Sequence, residues 1–207
     1  MDVIFLRSFS KIDDAYDYIV SEILKNGYSK TDERGDEVKQ LPFMNLMFCD
    51  HIKNTSNVLY VEVPKKTKLN YQMLEDYKTQ ILSGSQKDFV YTYQDRMCNH
   101  FNVNQYDYII EKLIKNPDSR RAVGITWDVN IDTQIDEVPC WNYLNCSVYE
   151  KKLNMSVVFR SNDIGTAFVP NMYGLHNLHK HFCEMTGYDV GNFYYTGHNV
   201  HIIKNNW

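Results

Sequence analysis

The feature that most constrains the fold is a predicted β-hairpin near residue 151. Two apolar segments with strand-like alternation, at about 143–149 and 153–161, are separated by only Glu150, Lys151 and Lys152. So short a link joins antiparallel strands, and a turn centred on Lys151 and Lys152 predicts opposed residues whose numbers sum to roughly 303. To within about two residues, this register brings Cys140 beside the segment 160–163, which begins with Arg160.

The other periodic segments predict a mixture of helices and strands. Helical spacing predicts helices at about 10–27, 70–82, 103–116 and 172–185, the first with Ser10 as N-cap and Gly27 as its stop. Strands are predicted at about 41–49, 57–63, 89–93, 122–127 and 192–203, and a loop at 28–40. Because these elements do not alternate as βαβ units, they favour an α+β fold over a doubly wound sheet.

Composition restricts the partners. A formal net charge of −4 makes the chain as a whole repel nucleic acid and anionic membrane, so an anion must be met by a local basic cluster. No segment approaches the roughly 20 apolar residues of a membrane span, and the first residues lack the apolar block of a signal peptide. We therefore expect a cytoplasmic protein with no nucleic-acid or membrane partner.

The cysteines are odd in number and form no CxxC pair, which disfavours a disulfide framework and a zinc site. They are Cys49, Cys98, Cys140, Cys146 and Cys183. Cys140 differs from the others because a nearby Arg160 lowers the pKa of a thiol, and the thiolate is the nucleophile. His176 and His179 lie one helical turn apart with no third ligand at clear spacing, so we predict no metal site.

A set of ordered motifs is highly specific. It comprises a paired arginine, Pro-Cys, Arg-Ser-x-Asp, an Asn eight residues later, and Gly-x-x-x-Gly-x-Phe followed by His. These motifs stand in NQYDYIIEKLIKNPDSRRAVGITWDV, VPCWNYLNCSVYEKKLNMSVVFRSNDIGTAFVPN and TGYDVGNFYYTGHNVHI. Over residues 104–201 the chain resembles the thymidylate synthase family. The resemblance implies one catalytic domain over 1–207, with a mixed β-sheet and flanking helices, that forms a homodimer through the sheet.

The resemblance also implies a covalent mechanism on a pyrimidine nucleoside monophosphate. Cys140 is the nucleophile that adds to C6, which makes C5 reactive toward the one-carbon unit of a reduced pterin. Arg160 and Ser161 contact the phosphate, and Arg160 also favours the thiolate. Arg120 and Arg121 match a pair that is donated across the dimer interface to the same phosphate.

Further positions match the base, the sugar and the cofactor. Asp163 supports the base and its water network on the cofactor side. Asn171 reads the pyrimidine edge, and because an amide both donates and accepts it fits N3–H and O4 of uracil, whereas an Asp would indicate cytosine. His201 matches a sugar contact, and Gln105 and Trp127 match structural or cofactor-side positions.

The first half of the chain supplies three further candidates. Tyr93 takes the place of an active-site tyrosine, Glu75 is the candidate for the carboxylate that organises water and relays protons, and Arg34 for an arginine that grips the phosphate. Two positions depart from the family pattern. Trp141 stands where bacterial enzymes usually carry His, and Ile203 where a sugar-binding Tyr is usual, which weakens recognition of the 3′-hydroxyl.

Two products remain open. The chain ends six residues after His201, so we expect it to lack the C-terminal tail that covers the cofactor. Methylation requires hydride to reach an exocyclic methylene before water does. The resemblance therefore implies either reductive methylation of dUMP with methylenetetrahydrofolate or methylene-tetrahydromethanopterin, or a hydroxymethylase acting on dUMP, dCMP, UMP or CMP. A nucleotide-binding homologue without turnover is the third possibility.

Overall fold

The computed structural model describes residues 7–49, 69–84 and 91–206. The strand predicted at 57–63 lies outside these ranges. The helices are α1 (Ile12–Asn26), α2 (Tyr71–Ser83), α3 (Tyr93–Cys98), α4 (Gln105–Lys115), α5 (Val129–Asp132) and α6 (Phe168–Thr186), with a 3₁₀ turn at Lys204–Asn206. The strands are β1 (Arg7–Phe9), β2 (Tyr28–Thr31), β3 (Glu37–Phe48), β4 (Val123–Ile125), β5 (Trp141–Tyr149), β6 (Lys152–Phe159), β7 (Asn162–Asp163) and β8 (Asp189–Ile203).

The strands form one mixed sheet in the order β1-β3-β8-β6-β5-β4. Antiparallel pairing joins β3 to β8, β6 to β5 and β5 to β4, whereas β1 with β3 and β6 with β8 are parallel. The short strands β2 and β7 attach to β3 and β8. A mixed sheet with six described helices confirms the predicted α+β class.

One face of the sheet packs under helices. Alternate strand residues such as Leu46, Val157 and Phe193 are almost fully buried in the same core as Ile19 of α1 and Phe182 of α6. Each such side chain contributes about 1.5–3 kcal/mol of burial free energy. This core holds the strands in a fixed position relative to α6, the helix that carries Asn171.

The opposite face of the sheet is much less covered. Ile125 pairs with Tyr143 across β4 and β5, and their exposed fractions are 45% and 38%. Phe43, 37% exposed, packs at a tilt against His198 with ring centroids 5.3 Å apart. Within the described ranges this face therefore presents apolar side chains to its surroundings.

The hairpin prediction is confirmed, with a small change in register. Tyr149 pairs with Lys152 and Val148 with Leu153, so opposed numbers sum to 301 rather than about 303. The turn centres one residue earlier because Glu150 and Lys151 both adopt positive φ, at 49° and 61°, as a two-residue type I′ turn requires. At the far end the Arg160 N–H donates to the Cys140 carbonyl at 2.9 Å, the proximity that the register predicts.

Two helix boundaries follow the sequence, and one N-cap prediction is wrong. Asn70 caps α2, its side chain accepting from the Met73 N–H at 3.0 Å. Helix α1 ends at Asn26 with Gly27 as C-cap, as expected. Its N-cap, however, is Lys11 without a side-chain bond, and not Ser10, because the chain turns from β1 into the helix one residue later.

The segment 28–40, predicted as a loop, is mostly a hairpin of β2 and β3. Tyr28 pairs with Gln40 and Thr31 with Glu37. All four β2 residues are exposed, so this strand has no apolar alternation by which the sequence could reveal it. The turn is held by Asp32, whose carboxylate accepts from the N–H groups of Arg34 and Asp36 at 2.9 and 2.8 Å.

Tyr93 begins helix α3, whereas the sequence placed it at the end of a strand. Thr92 is the N-cap, its hydroxyl accepting from the Asp95 N–H at 3.1 Å. The apolar run over 89–93 is too short to distinguish a strand from the approach to a helix.

Close packing of α2 on α6 depends on Gly174. A Cβ at this position would lie 2.5 Å from Ile81 Cδ1 and 3.2 Å from Tyr77 Cδ1. A larger residue would therefore displace the Ile81 side chain and press on the ring of Tyr77. Gly174 thus allows α2 to pack closely on α6. None of the described helices is long and apolar enough to cross a bilayer.

Candidate active site

Cys140 lies immediately before β5, under the guanidinium of Arg160. Its Sγ is 3.8 Å from Arg160 Nη2. The same guanidinium donates from Nε to the Pro139 carbonyl at 3.0 Å and from Nη2 to the Val138 carbonyl at 3.0 Å. Arg160 thus holds the backbone that carries the thiol and also faces the sulfur with positive charge.

Burial raises the pKa of the Cys140 thiol, and this effect exceeds the opposing effect of the nearby Arg160 and Arg34 guanidinium groups. Glu137 and Asp163 raise the pKa further. The thiol therefore retains its proton at neutral pH, and a change in charge around it, such as binding of a ligand, is needed to favour the thiolate.

Two adjacent tyrosines, with ring centroids 5.9 Å apart, bond the backbone before and after Cys140. Tyr91 donates from its hydroxyl to the Val138 carbonyl at 3.1 Å, and the Tyr93 hydroxyl accepts from the Trp141 N–H at 3.3 Å. Burial raises the pKa of Tyr91 to about 12 and that of Tyr93 well above its usual range. Both hydroxyls therefore stay neutral. Tyr93 is placed next to the candidate nucleophile, as the resemblance implies.

A chain of buried hydrogen bonds runs through Asn171. The Tyr77 hydroxyl donates to Asn171 Oδ1, and Asn171 Nδ2 donates to Asn162 Oδ1 at 3.4 Å. Asn162 Nδ2 donates in turn to the Tyr195 hydroxyl at 3.2 Å. Burial raises the pKa of both tyrosines, so each end of the chain is neutral. This network fixes the position of the Asn171 amide before any ligand is present.

Ser161, Asp163 and His201 meet where β7 pairs with β8. Ser161 Oγ is 3.5 Å from His201 Nδ1 and 3.5 Å from the Asn199 carbonyl. Asp163 is the register partner of His201, and its carboxylate accepts from the Gly165 N–H at 2.9 Å and from the Thr166 hydroxyl. These three predicted residues are brought together within one short segment of the sheet.

Arg34 extends from the β2–β3 turn toward the same site. Its Nη2 lies 2.8 Å from Glu137 Oε1, and both side chains are 60% exposed. An exposed pair of this kind contributes only about 0–1 kcal/mol, so a stronger anion can displace Glu137. Arg34 is close enough to Cys140 to lower the pKa of its thiol.

Glu75 is placed differently from the other candidates. Its carboxylate accepts from Lys78 Nζ at 2.8 Å and from the Tyr173 hydroxyl, and these bonds hold the pKa of Glu75 below its usual value. The side chain is 46% exposed. Tyr77, two residues further on α2, is the side chain of this helix that points into the buried network. The contacts described for Glu75 do not include Cys140, and its catalytic role stays a prediction.

Arg120 and Arg121 are exposed and distant from Cys140 within one chain. Val123 pairs with Asn145, so the antiparallel register brings Arg121 to the level of Ser147. Ser147 lies seven residues along β5 from Cys140, which corresponds to roughly 23 Å at 3.3 Å per residue. The two arginines therefore lie at the opposite end of the sheet from the thiol of their own chain.

Gln105 and Trp127 lie on either side of β4. The Gln105 side chain accepts from the Ile125 N–H at 2.8 Å and donates to the Ile125 carbonyl at 2.9 Å, so it pins β4 to α4. Trp127 is half-buried and follows Thr126, whose hydroxyl donates to the Trp141 carbonyl. Gln105 thus has a structural role. Trp127 lies beside the segment Cys140–Trp141, because its neighbour Thr126 bonds to Trp141.

The sequence reasoning missed the residues that hold the site in place. These are Tyr77, Tyr91, Glu137, Asn162 and Tyr195. Asn162 and Tyr195 lie inside the quoted motifs, Asn162 as the unspecified residue of Arg-Ser-x-Asp and Tyr195 between the Phe and the His of the last one. For Tyr77 and Tyr91 the one signal was the high tyrosine content, 16 in the chain, and nothing in the sequence marked Glu137. In the ranges that the structure describes, no group of three or more His, Cys, Asp or Glu side chains could hold a metal ion.

Comparison with known proteins identifies the family of this chain. The family model described as thymidylate synthase matches residues 14–207. A curated protein of Methanosarcina barkeri named "Putative thymidylate synthase" is 36% identical over 95% of this chain and 88% of its own length. Proteins of the same name from Methanothermobacter marburgensis and Methanocaldococcus jannaschii are 34% and 33% identical, over 97% and 91% of this chain and 93% and 86% of their own.

The chain therefore belongs to the thymidylate synthase family. Enzymes of this family bind a nucleotide, generally use a cofactor of the methylene-folate type, and are typically dimeric.

Proposed function

We propose that this chain is a thymidylate synthase that converts dUMP to dTMP by reductive methylation. The observation that carries the proposal is the position of Cys140 Sγ, 3.8 Å from Arg160 Nη2, at the sheet end where Asn171 and Ser161 also lie. A thiol, a phosphate-binding guanidinium and a base-reading amide are the three groups that covalent activation of a pyrimidine nucleotide needs.

Cys140 starts the reaction by forming an S–C6 bond. The thiol proton passes to solvent water as the sulfur attacks, the electron pair of the C5=C6 bond moves toward O4, and C5 becomes nucleophilic. Because burial raises the pKa of this thiol, the guanidinium of Arg160 has to stabilise the developing thiolate.

Asn171 selects the base. Tyr77 occupies one lone pair of Oδ1 and Asn162 one proton of Nδ2, which leaves one acceptor and one donor for the ligand. These two groups match N3–H and O4 of uracil. Cytosine has an acceptor at N3 and a donor at its 4-amino group. It would therefore place acceptor against acceptor and donor against donor at Asn171.

A cluster of arginines binds the phosphate dianion. Of the Arg160 nitrogens, Nε and Nη2 are engaged with described groups, whereas Nη1 has no described partner and is directed to the phosphate in our proposal. Ser161 adds a hydroxyl, and Arg34 exchanges Glu137 for the phosphate. His201, beside Ser161, contacts the sugar.

Arg120 and Arg121 of the partner subunit complete the cluster. Two observations support this. Within one chain the register separates Arg121 from Cys140 by roughly 23 Å. In addition, Phe43 and Tyr143, on the sheet face away from the helices, are each more than a third exposed, which leaves apolar surface for a homodimer interface.

The site also fits a reduced pterin. Asp163, whose charge acts on the Cys140 thiol, is a half-buried acceptor for ring N–H groups, and the half-buried Trp127 offers an aromatic face. When bound, methylenetetrahydrofolate or methylene-tetrahydromethanopterin supplies the one-carbon unit and the hydride. Glu75 is our candidate for the carboxylate that organises water near the base.

Product mass tests the proposal. The protein is incubated with dUMP, dCMP, UMP or CMP and each methylene cofactor, and the nucleotide is analysed by mass spectrometry. We expect dUMP to gain CH₂. A gain of CH₂O would indicate the hydroxymethylase, and no product from folded protein with an intact Cys140 thiol would overturn both enzyme assignments.

A further inference from the structure

The segment 133–140, which ends at Cys140, has little regular structure of its own. Helix α5 ends at Asp132 and strand β5 begins at Trp141, and the structure, which describes all residues between them, places no helix or strand there. Backbone groups outside helices and sheets need other partners to hold them in place. Arg160 supplies two such bonds at the end of the segment. Its start depends on other groups.

A buried ion pair lies at the start of the segment. Arg96 of α3 donates from Nη2 to Asp132 Oδ1 at 2.7 Å and from Nη1 to Oδ2 at 3.2 Å, so the pair is bidentate. The two side chains are only 5% and 0% exposed. Asp132 Oδ2 also accepts from the N–H of Asp128, the N-cap of α5, at 2.8 Å. The guanidinium fork therefore fixes both the distance and the orientation of α5 relative to α3.

Arg96 also lies against two residues that bond the backbone on either side of the thiol. Its guanidinium is 5.6 Å from the centre of the Tyr91 ring, and the Tyr91 hydroxyl donates to the Val138 carbonyl at 3.1 Å. Its Nη1 is 3.5 Å from the Thr126 carbonyl, and the Thr126 hydroxyl donates to the Trp141 carbonyl. One guanidinium thus connects the start of the segment with the groups that hold its end.

Stability alone does not explain why this pair is ionic. Removing two charges from water is costly, and well-packed apolar side chains of similar size are often as stabilising as a buried ion pair or more so. The other ion pairs among the described residues are all more exposed. What a bidentate pair adds over apolar packing is a single geometry, because the planar guanidinium bonds both carboxylate oxygens at once.

We propose that Arg96 and Asp132 are positioning residues that hold the segment 133–140 so that the Cys140 thiol is aligned for attack on the nucleotide. The inference rests on the proposed function, since it takes Cys140 as the nucleophile. The pair acts through the backbone of the segment and through Tyr91 and Thr126. It therefore contributes to the rate of the chemical step more than to stability. A displacement of a reacting group by about 1 Å can lower a rate about 100-fold.

A double variant separates positioning from stability. Arg96→Met and Asp132→Leu each leave one buried charge without its partner, so the thermal midpoints of these single variants should fall. The double variant Arg96→Met/Asp132→Leu removes both charges and should recover most of this loss. Its kcat with dUMP should nevertheless stay about 100-fold below that of the wild type. Its KM should change less than about threefold, because the phosphate contacts Arg160 and Ser161 lie outside the segment.

Alkylation of the thiol provides a readout that needs no turnover. Burial is the largest of the effects that raise the pKa of Cys140, and a displaced segment loses this burial. At one fixed pH and below the thermal midpoint, iodoacetamide should therefore alkylate Cys140 about tenfold faster in the double variant than in the wild type. Peptide mass spectrometry measures this rate. It tests the positioning even if the wild-type protein forms no dTMP, so failure of the proposed function is recognised separately.

Two further variants complete the test. Leu113→Ala truncates a buried side chain of α4, so it should lower the thermal midpoint but keep wild-type kcat and alkylation. Arg96→Lys keeps the charge and loses the fork, so it should fold and lose about tenfold in kcat, with faster alkylation. Wild-type kcat and alkylation in the folded double variant, or equal changes in Leu113→Ala, would overturn the proposal. If the double variant does not fold, unchanged kcat and alkylation in Arg96→Lys would overturn it.

Discussion

Two polar side chains of helix α6, Asn171 and His176, have opposite hydrogen-bond environments. In the first turn, Asn171 is bonded at both ends of its amide, to Tyr77 and to Asn162. Further along, His176 uses one ring nitrogen and leaves the other buried without a partner. The Asn171 amide is therefore preorganised by the protein itself, whereas the His176 ring keeps one buried nitrogen without a partner among the described residues. The predictions below test this contrast.

The largest effect is expected from Cys140→Ser. A serine hydroxyl is a far weaker nucleophile than a thiolate, so turnover should fall by roughly 10⁴-fold or more, while calorimetry should still detect dUMP binding. Cys98→Ser is the matched control, since Cys98 packs at the edge of the core and carries no predicted role. Equal losses in both variants would refute Cys140 as the nucleophile.

Cross-subunit donation predicts complementation between two inactive chains. Arg121→Ala removes a phosphate contact from the partner's site, and Cys140→Ser removes the nucleophile from its own. In a two-fold dimer, a heterodimer of these chains has one intact site, so an equal mixture should recover about a quarter of wild-type activity after subunit exchange. If the mixture stays as inactive as its components, Arg121 acts within its own chain.

Arg160→Gln should alter both substrate binding and the thiol. Loss of charged hydrogen bonds to the phosphate should lower kcat/KM roughly 100-fold. In the wild-type protein, alkylation of Cys140 by iodoacetamide should rise with pH through an inflection above the usual thiol value of about 8.5, because burial raises this pKa. The variant lacks the guanidinium that opposes this shift, so its inflection should move to still higher pH. An inflection that stays in place would show that Arg160 does not act on the thiol.

Tyr77→Phe tests how the Asn171 amide is preorganised. Removing one hydrogen bond, about 1 kcal/mol, should lower the ratio of kcat/KM for dUMP to that for dCMP by roughly tenfold or less. Tyr195→Phe, at the far end of the same chain of bonds, should change this ratio less. A fall in activity without a change in the ratio would assign Tyr77 a purely structural role.

The smallest effect concerns His176 and acid stability. Because burial lowers its folded pKa to about 3, the unfolded state binds more protons, and stability falls as pH decreases from about 6.5 toward 3. His176→Phe should make the thermal midpoint less sensitive to pH in this range. A residual slope is expected, since burial also lowers the pKa of His179 to about 4. An unchanged slope would show that His176 is not buried as a neutral ring.

Much of the fold could be predicted because it depends on local periodicity. The hairpin of β5 and β6, the helix at 71–83 and the helix at 105–115 all follow from apolar spacing and turn residues. Strand β2 could not be found, since its exposed residues show no alternation and its partner β3 decides its conformation. The start of α3 at Tyr93 could not be predicted either, because a short apolar run fits a strand and the approach to a helix equally well.

By itself, the sequence determined the proximity of Cys140 and Arg160, because a tight turn sets the register of every residue on both strands. It also indicated Ser161, Asp163 and Asn171 through motifs of fixed spacing. Only the tertiary structure decided that Tyr77 and not Glu75 points from α2 into the amide network, and that Arg121 lies far from Cys140 in its own chain. It alone revealed the unpaired nitrogen of His176. Local patterns set neighbours along one element, whereas contacts between helices and across the sheet depend on how those elements pack.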